Sequence, residues 1–286
     1  MRLHPRLGFL GYYGIKRDIS ERLQKQVDQS LDGVSLFYDE EIRRIGVSLD
    51  IANLNEEMSV LGEKMHLHYF YRLSAEQALK HPSEIVRQSA HSGQAVSGTR
   101  IIESDELATM SQDVRQRATI VIQPTAMAMP TERKVLDVAM AKEYALPLND
   151  ATGAVSEVLC GGRVVNQDSE FVDRIRQLVF GDEEYHAKPV GTVTVFLGDV
   201  RVSTNVLDKN GQRAIGTRIS EEVYRKVFEQ GLRWRDRALV VGHWYKAAYK
   251  PIYNINNATL SACCMWAFWS RRFRTRPPRC CWRFGR

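Results

Sequence analysis

Residues 191–207 read GTVTVFLGDVRVSTNVL, two arms rich in valine, threonine and phenylalanine around Gly198-Asp199. β-Branched and aromatic residues on both sides of a two-residue glycine turn are the pattern of a β-hairpin, with Gly198-Asp199 expected as a type I′ turn. On the second arm Arg201 and Ser203 alternate with Val200 and Val202, so the two polar side chains are expected on one strand face. Downstream, DKNGQRAIGT (208–217) turns again at Asn210-Gly211. SEEVYRKVFEQG (220–231) reads as a helix with Ser220 at its start, acids in the first turn and Gly231 as its stop. RALVVGHWYKAAYKPIYN (237–254) offers two further strands around Gly242-His243. Two strands, a helix and more antiparallel strands imply an α+β sheet of the PAS-like order.

Upstream, SEFVDRIRQLVF (169–180) is helical, with Phe171, Val172, Ile175, Leu178 and Val179 expected on one side. The stretches at 118–124, 143–148 and 154–165 are β-like, whereas 62–117 reads as helices and loops with poor strand signals. Nearer the N-terminus Leu23, Val27, Leu31, Val34, Tyr38, Ile42, Ile45 and Leu49 recur at steps of three and four. That is one face of a long helix. The stripe suits an amphipathic helix covering a core; it equally suits a stalk or dimer spine, for which loss of dimer affinity in Ile42→Asp would be the sign. Leu7 to Ile15 is a nine-residue apolar run bounded by Arg6 and Lys16-Arg17. It is far short of the ~20 residues of a membrane span. It fits either the outer end of a span or a buried helix start.

The net charge of +6 is misleading until it is located. The last 26 residues hold seven arginines and no acid, so residues 1–260 stand at −1 and exert no general pull on phosphates. Four of the five cysteines lie there as vicinal pairs, Cys263-Cys264 and Cys280-Cys281, without the spacing of a zinc site. Cys160 alone remains in the body, which excludes an internal disulfide framework.

The chain repeats itself. YALPLNDATGAVSEVLCGG (144–162) closes its first half with a proline, an Asn-Asp turn and a strand, and YKPIYNINNATL (249–260) begins the same close. Where the second closing strand should stand, the arginine-rich tail begins. Read in a shifted frame, any Cys263 codon before Cys264 gives Leu, Met265 before Trp266 gives Val, Trp266 before Ala267 gives Gly, and Phe268 before Trp269 gives Leu. A nonapeptide such as Gly-Met-Leu-Tyr-Val-Gly-Val-Leu-Glu would restore the strand. The expectation is therefore a base gained or lost near the Leu260 codon, with the final strand missing from the chain as written and a destabilised, signalling-dead product. The rival is a genuine arginine-rich arm, with aromatics interleaved, that binds nucleic acid or a membrane.

With the repeat in place, residues 164–227 and HWYKAAYKPIYN (243–254) resemble a double Cache sensor region of the Cache-3/Cache-2 fusion type, the extracytoplasmic part of bacterial histidine kinases and chemoreceptors. The resemblance implies an α+β fold: a long N-terminal helix followed by two PAS-like units with antiparallel sheets. It divides the chain into a span remnant and stalk helix (1–60), a membrane-distal unit (61–165), a membrane-proximal unit (166–260) and the anomalous tail (261–286). It further implies a ligand-sensing module on the periplasmic face of the inner membrane, passing a conformational change to an output domain that this chain lacks. The implied partners are a small-molecule ligand, a second copy through the N-terminal helix and, for the parent receptor, the membrane; nucleic acid is not among them.

Arginine suits a carboxylate ligand because its planar fork bonds both oxygens. The second-unit candidates are Arg201, Thr204, Arg218, Trp244, Tyr245 and Tyr249; the first unit offers Arg133, Lys142 and Tyr144. No nucleophile elbow, P-loop, zincin helix or dinucleotide turn is present, so neither catalysis nor a cofactor or metal is expected. His66 and His68 are expected in a surface loop.

Overall fold

A computed structural model describes residues 5–55, 66–181, 184–185, 188–189, 191–255 and 260–268, the last as backbone. The arginines of the tail lie outside the described residues. Helix α1 spans Pro5–Asn55, about 77 Å at 1.5 Å per residue. Of its apolar stripe Leu31, Val34, Tyr38, Ile42, Ile45 and Leu49 are all buried; the side chains of Leu23 and Val27 lie outside the described residues. The stripe thus packs inward against the sheets, and Ile42 is a core residue rather than a dimer contact. No helix among the described residues is long and apolar enough to cross a membrane.

Strands β1 (Tyr69–Ser74), β2 (Val96–Ile102), β5 (Ala139–Asn149) and β6 (Val155–Val164) form the first sheet, in the order β1-β6-β5-β2. Short helices α2 (Ala75–Leu79), α3 (Glu84–Ser92), α4 (Ser104–Leu107) and α5 (Gln112–Ala118) lie along this part of the chain, and β3 (Thr119–Val121) pairs with β4 (Val135–Asp137). The sequence between 62 and 117 therefore does contain strands. In β1 only Tyr69 is buried and in β2 Thr99 and Arg100 are buried side by side, so neither strand alternates cleanly, which is why period two fails to reveal them. Helix starts are better marked: the Ser74 side chain and Gln77 complete a capping box, and Ser83 accepts from the Val86 N–H. Each such cap contributes about 1 kcal/mol.

Helix α6 (Ser169–Phe180) opens the second unit, with Asp168 capping the Phe171 N–H. Phe171, Val172 and Ile175 are buried as expected, but Leu178 is 67% exposed and Val179 37%. After the two-residue pair β7 (Glu184–Tyr185) and β8 (Lys188–Pro189) come β9 (Thr192–Leu197), β10 (Val200–Thr204), α7 (Glu221–Tyr224), a π-helical turn at Arg225–Glu229, β11 (Trp234–Val240), β12 (His243–Tyr253) and β13 (Leu260–Phe268). The β9–β10 turn has positive φ at Gly198 but not at Asp199, so it is not the expected type I′, which requires both. The β11–β12 turn, with Val241 at φ 46° and Gly242 at 78°, does have both.

The second sheet runs β10-β9-β13-β12-β11. In each sheet the last strand lies between the first and the penultimate, so the repeat read from sequence is a repeat of topology. It also corrects the expectation of a missing strand. Residues 260–268 as written occupy the centre of the second sheet, with Cys264 opposite both Lys250 and Val195. Ladder pairing uses backbone groups common to all non-proline residues, so LSACCMWAF can fill a place for which a different strand was expected. The second sheet consequently extends past residue 260.

Three apolar clusters result. One joins α1 and α6 to the facing sides of both sheets, from Leu31 and Tyr38 to Phe171, Val195 and Val202. The second fills the outer face of the first sheet, and the third the outer face of the second, from Phe196 and Val206 to Val227 and Tyr249.

Candidate ligand site

On β10, Arg201 opposes Phe196, Ser203 opposes Val195 and Thr204 opposes Thr194, with a register shift between Arg201 and Ser203. Opposed residues share a face. Arg201 and Thr204 therefore point to the outer side with Phe196, while Ser203 turns inward and donates to the Asp168 carbonyl at 2.7 Å. The expectation that Arg201 and Ser203 share a face fails because a β-bulge inserts one residue between them.

The Arg201 guanidinium is 3% exposed. Its Nη1 donates to Thr194 Oγ1 at 3.1 Å and to Thr204 Oγ1 at 3.4 Å, and the group lies 5.0 Å from the Phe196 ring centre. Its Nε is buried without a partner. Burial pulls its pKa down to about 10, against which only the Tyr249 and Tyr245 phenols act. It remains a cation at neutral pH, and no carboxylate among the described residues pairs with it. The adjoining strand β13 is free of acidic residues as well. Buried charges are ordinarily paired; this one is held by two hydroxyls and a ring.

A cavity of about 1180 Å³ opens beside it, lined among others by Thr192, Asn205, Val206, Arg213, Val241 and Tyr245. Thr192 is two residues from Thr194 on β9, and Asn205 and Val206 follow Thr204, so the guanidinium lies one residue layer behind the wall. Two of the charges on the wall, Arg213 and Asp208, are engaged. Arg213 bonds Asp173 Oδ1 at 3.0 Å and the Thr204 carbonyl at 2.8 Å, while Asp208 accepts the N–H groups of Asn210 and Gln212. Val241, a β-branched residue at positive φ, is a strained element of this wall.

The remaining second-unit candidates divide. Tyr249 packs 6.1 Å from Phe196, and Tyr245 shares its face and borders the cavity. Trp244 faces the other way, 53% exposed and 5.6 Å from the Arg237 guanidinium. Arg218 is outside the pocket: it pairs with Asp199 at the hairpin tip and donates to the Met129 carbonyl, fastening the second unit to the 122–134 loop.

In the first unit, Arg133 is exposed and donates to the Val135 carbonyl at 3.0 Å. Lys142 and Tyr144 face α1, where Gly46 gives room to the Tyr144 ring; a Cβ at Gly46 would come within 2.4 Å of it. The group on the opposite, outer face is Glu143, which the sequence reading passed over. It accepts from Tyr69 Oη at 2.7 Å, Ser83 Oγ and Arg100 Nη1 at 3.4 Å, and Arg100 also pairs with Glu106. The one acid of the strand, set beside Lys142 in an otherwise largely apolar run, was the available signal. These charges satisfy one another, unlike Arg201. His68 sits in the expected loop and accepts the Val164 N–H through Nδ1 at 2.8 Å. Among the described residues no group of three metal-ligating side chains is present.

The second, five-stranded sheet thus carries at one face a cavity walled mainly by the 205–215 segment, with the buried Arg201 one residue layer behind it. Residues 163–266 match the family model described as single cache domain 3. This part of the chain is similar to a Cache sensor domain, and the match runs beyond residue 260 into β13. A search of curated proteins finds no match. Similar solved structures include the periplasmic domain of Vibrio cholerae LuxQ, 14% identical over 88% of this chain and 97% of that one, with a TM-score of 0.35. The periplasmic sensory domain of the Campylobacter jejuni chemoreceptor Tlp1 is 13% identical over 88% and 95%, with a TM-score of 0.38. The ligand-binding domain of the Pseudomonas fluorescens chemoreceptor CtaA, in complex with L-alanine, is 11% identical over 87% and 96%, with a TM-score of 0.37. None of these likenesses assigns a ligand here.

Proposed function

We propose that this chain is the extracytoplasmic ligand-sensing module of a bacterial transmembrane receptor, non-catalytic in itself, and that its second unit binds a small carboxylate through Arg201. The observation that carries the ligand class is a buried guanidinium beside the cavity of about 1180 Å³ that no acid among the described residues pairs. A carboxylate reaching it would supply the missing counter-charge and a bidentate partner, with Thr194, Thr204, Tyr245 and Tyr249 as the polar surround. The Cache match supports the sensor reading. Two units in a double arrangement are supported by the shared strand order of the two sheets.

Binding would signal by population shift, favouring whichever arrangement of the second sheet closes on the ligand. The deciding experiment is a thermal-shift screen of small mono- and dicarboxylates against the wild type and Arg201→Met. A carboxylate that raises the wild-type midpoint and leaves the variant unmoved supports the reading; equal shifts in both proteins, or none across the panel, refute it. The second copy would dock on the outward row of α1, where Leu36 is 72% and Val47 46% exposed. Eleven residues apart, these two lie close to one helix face.

A further inference from the structure

Glu41 on α1 is buried and is approached by three cations from three elements. Arg44 Nη1 of α1 lies 3.4 Å away, Arg174 Nη1 of α6 3.6 Å and Lys142 Nζ of β5 3.8 Å. None reaches the roughly 2.7–2.9 Å of a fully made charge-assisted bond. Immediately beside them Arg163 does, holding Asp168 at 2.8 Å and Glu170 at 2.9 Å. The Lys142 ammonium is wholly buried, 4.0 Å from the Phe171 ring centre, and has no hydrogen-bond acceptor. One carboxylate among three cations leaves two positive charges over. Even with Arg163 and its two acids counted in, the neighbourhood stays positive by one. Glu41, Arg44 and Arg174 line a cleft of about 330 Å³, together with Ser48, His66 and the Arg163–Glu170 pair.

We infer that this cleft is a second anion site, one that takes a small oxyanion of the phosphate or sulfate kind between Arg44 and Arg174. Two guanidinium forks offer the planar paired donors such an anion needs, and Lys142 behind Glu41 adds to the attraction. The occupant would bridge α1 to α6, tying the long helix to the first helix of the second unit. Its occupancy would thus set how firmly the two move together. The site is separate from the cavity at Arg201 and does not depend on that reading.

The test is thermal unfolding of the full chain titrated with sodium phosphate at fixed ionic strength, for the wild type, the double variant Arg44→Gln/Arg174→Gln and Arg201→Met. Arg44 and Arg174 are 57% and 42% exposed, so the double variant leaves the core in place. A saturable rise in midpoint in the wild type and in Arg201→Met, absent from the double variant, is the expected result. A rise that does not saturate and is shared by the double variant is general salt exclusion and overturns the site. So does no rise in the wild type, or a rise abolished by Arg201→Met.

Discussion

Arg201 and Thr204 lie on the same face of β10 although three residues apart, and they are joined by a 3.4 Å hydrogen bond. In a regular strand an odd spacing puts side chains on opposite faces. The bulge at Arg201/Ser203 cancels that alternation, bringing the guanidinium and the hydroxyl together and sending Ser203 inward. The bulge is thus the local feature that assembles the polar group behind the cavity.

Arg201→Met should leave the unliganded protein as stable as the wild type or more so. Burial draws the Arg201 pKa down to about 10, the direction expected of a charge kept from water, and methionine fills similar space without the charge. Urea unfolding would check this; a loss of more than about 2 kcal/mol would mean that the guanidinium is a structural strut.

Lys142 makes stability depend on alkaline pH. Its pKa is lowered to about 8, chiefly by burial, with Asp168 and Glu41 partly opposing. A depressed native pKa means that the unfolded chain holds the proton more tightly between about 8 and the ordinary lysine value. Stability should therefore rise as pH increases through this window, by at most about 3 kcal/mol. Lys142→Met should flatten the rise and be the more stable protein at pH 7, as chemical denaturation at several pH values would show.

His68 predicts the acid side. Burial first, and Arg117 next, lower its pKa to about 4, and its Nδ1 is committed to the Val164 N–H. The native state excludes a proton that the unfolded state accepts, so stability is lost as pH falls from about 6.5 towards 4. Because the ring is partly solvated, about 1–2 kcal/mol is the expected size. His68→Phe should unfold with a shallower acid dependence than the wild type.

Ala262→Pro should disrupt the second unit. Residue 262 lies on a central strand, opposite Ile252 on one side and Leu197 on the other, and proline removes a ladder donor there, at a cost of about 3 kcal/mol or more. Loss of protease resistance confined to residues beyond about 168 would be the signature; an unchanged digestion pattern would show that β13 is dispensable.

Leu36→Asp and Ile42→Asp separate dimer from core. Ile42 is 7% exposed and Leu36 72%. The first change should weaken self-association in sedimentation with little effect on melting; the second should unfold the protein by about 3–5 kcal/mol. A Leu36→Asp protein that dimerises like the wild type would place the contact elsewhere.

The sequence by itself determined the elements whose periodicity is local: the apolar stripe of α1 though not what it packs against, the bounds of α6, the β9–β10 hairpin and the turn at Asn210-Gly211. It also singled out Arg201, Thr204, Tyr245 and Tyr249, because polar groups set among Val, Phe and Ala in a strand stand out. Only the tertiary structure decided the rest. β1 and β2 are strands because β6 and β5 pair with them, not because their own patterns alternate. LSACCMWAF is a central strand because β9 and β12 present free ladder groups on either side. The absence of an acid near Arg201 among the described residues, and the gathering of three cations on Glu41, are facts about residues up to 133 positions apart. Periodicity reports which way a side chain points relative to its neighbours in sequence. What it meets there depends on chain segments brought up from far away, and that is set by the packing of the whole.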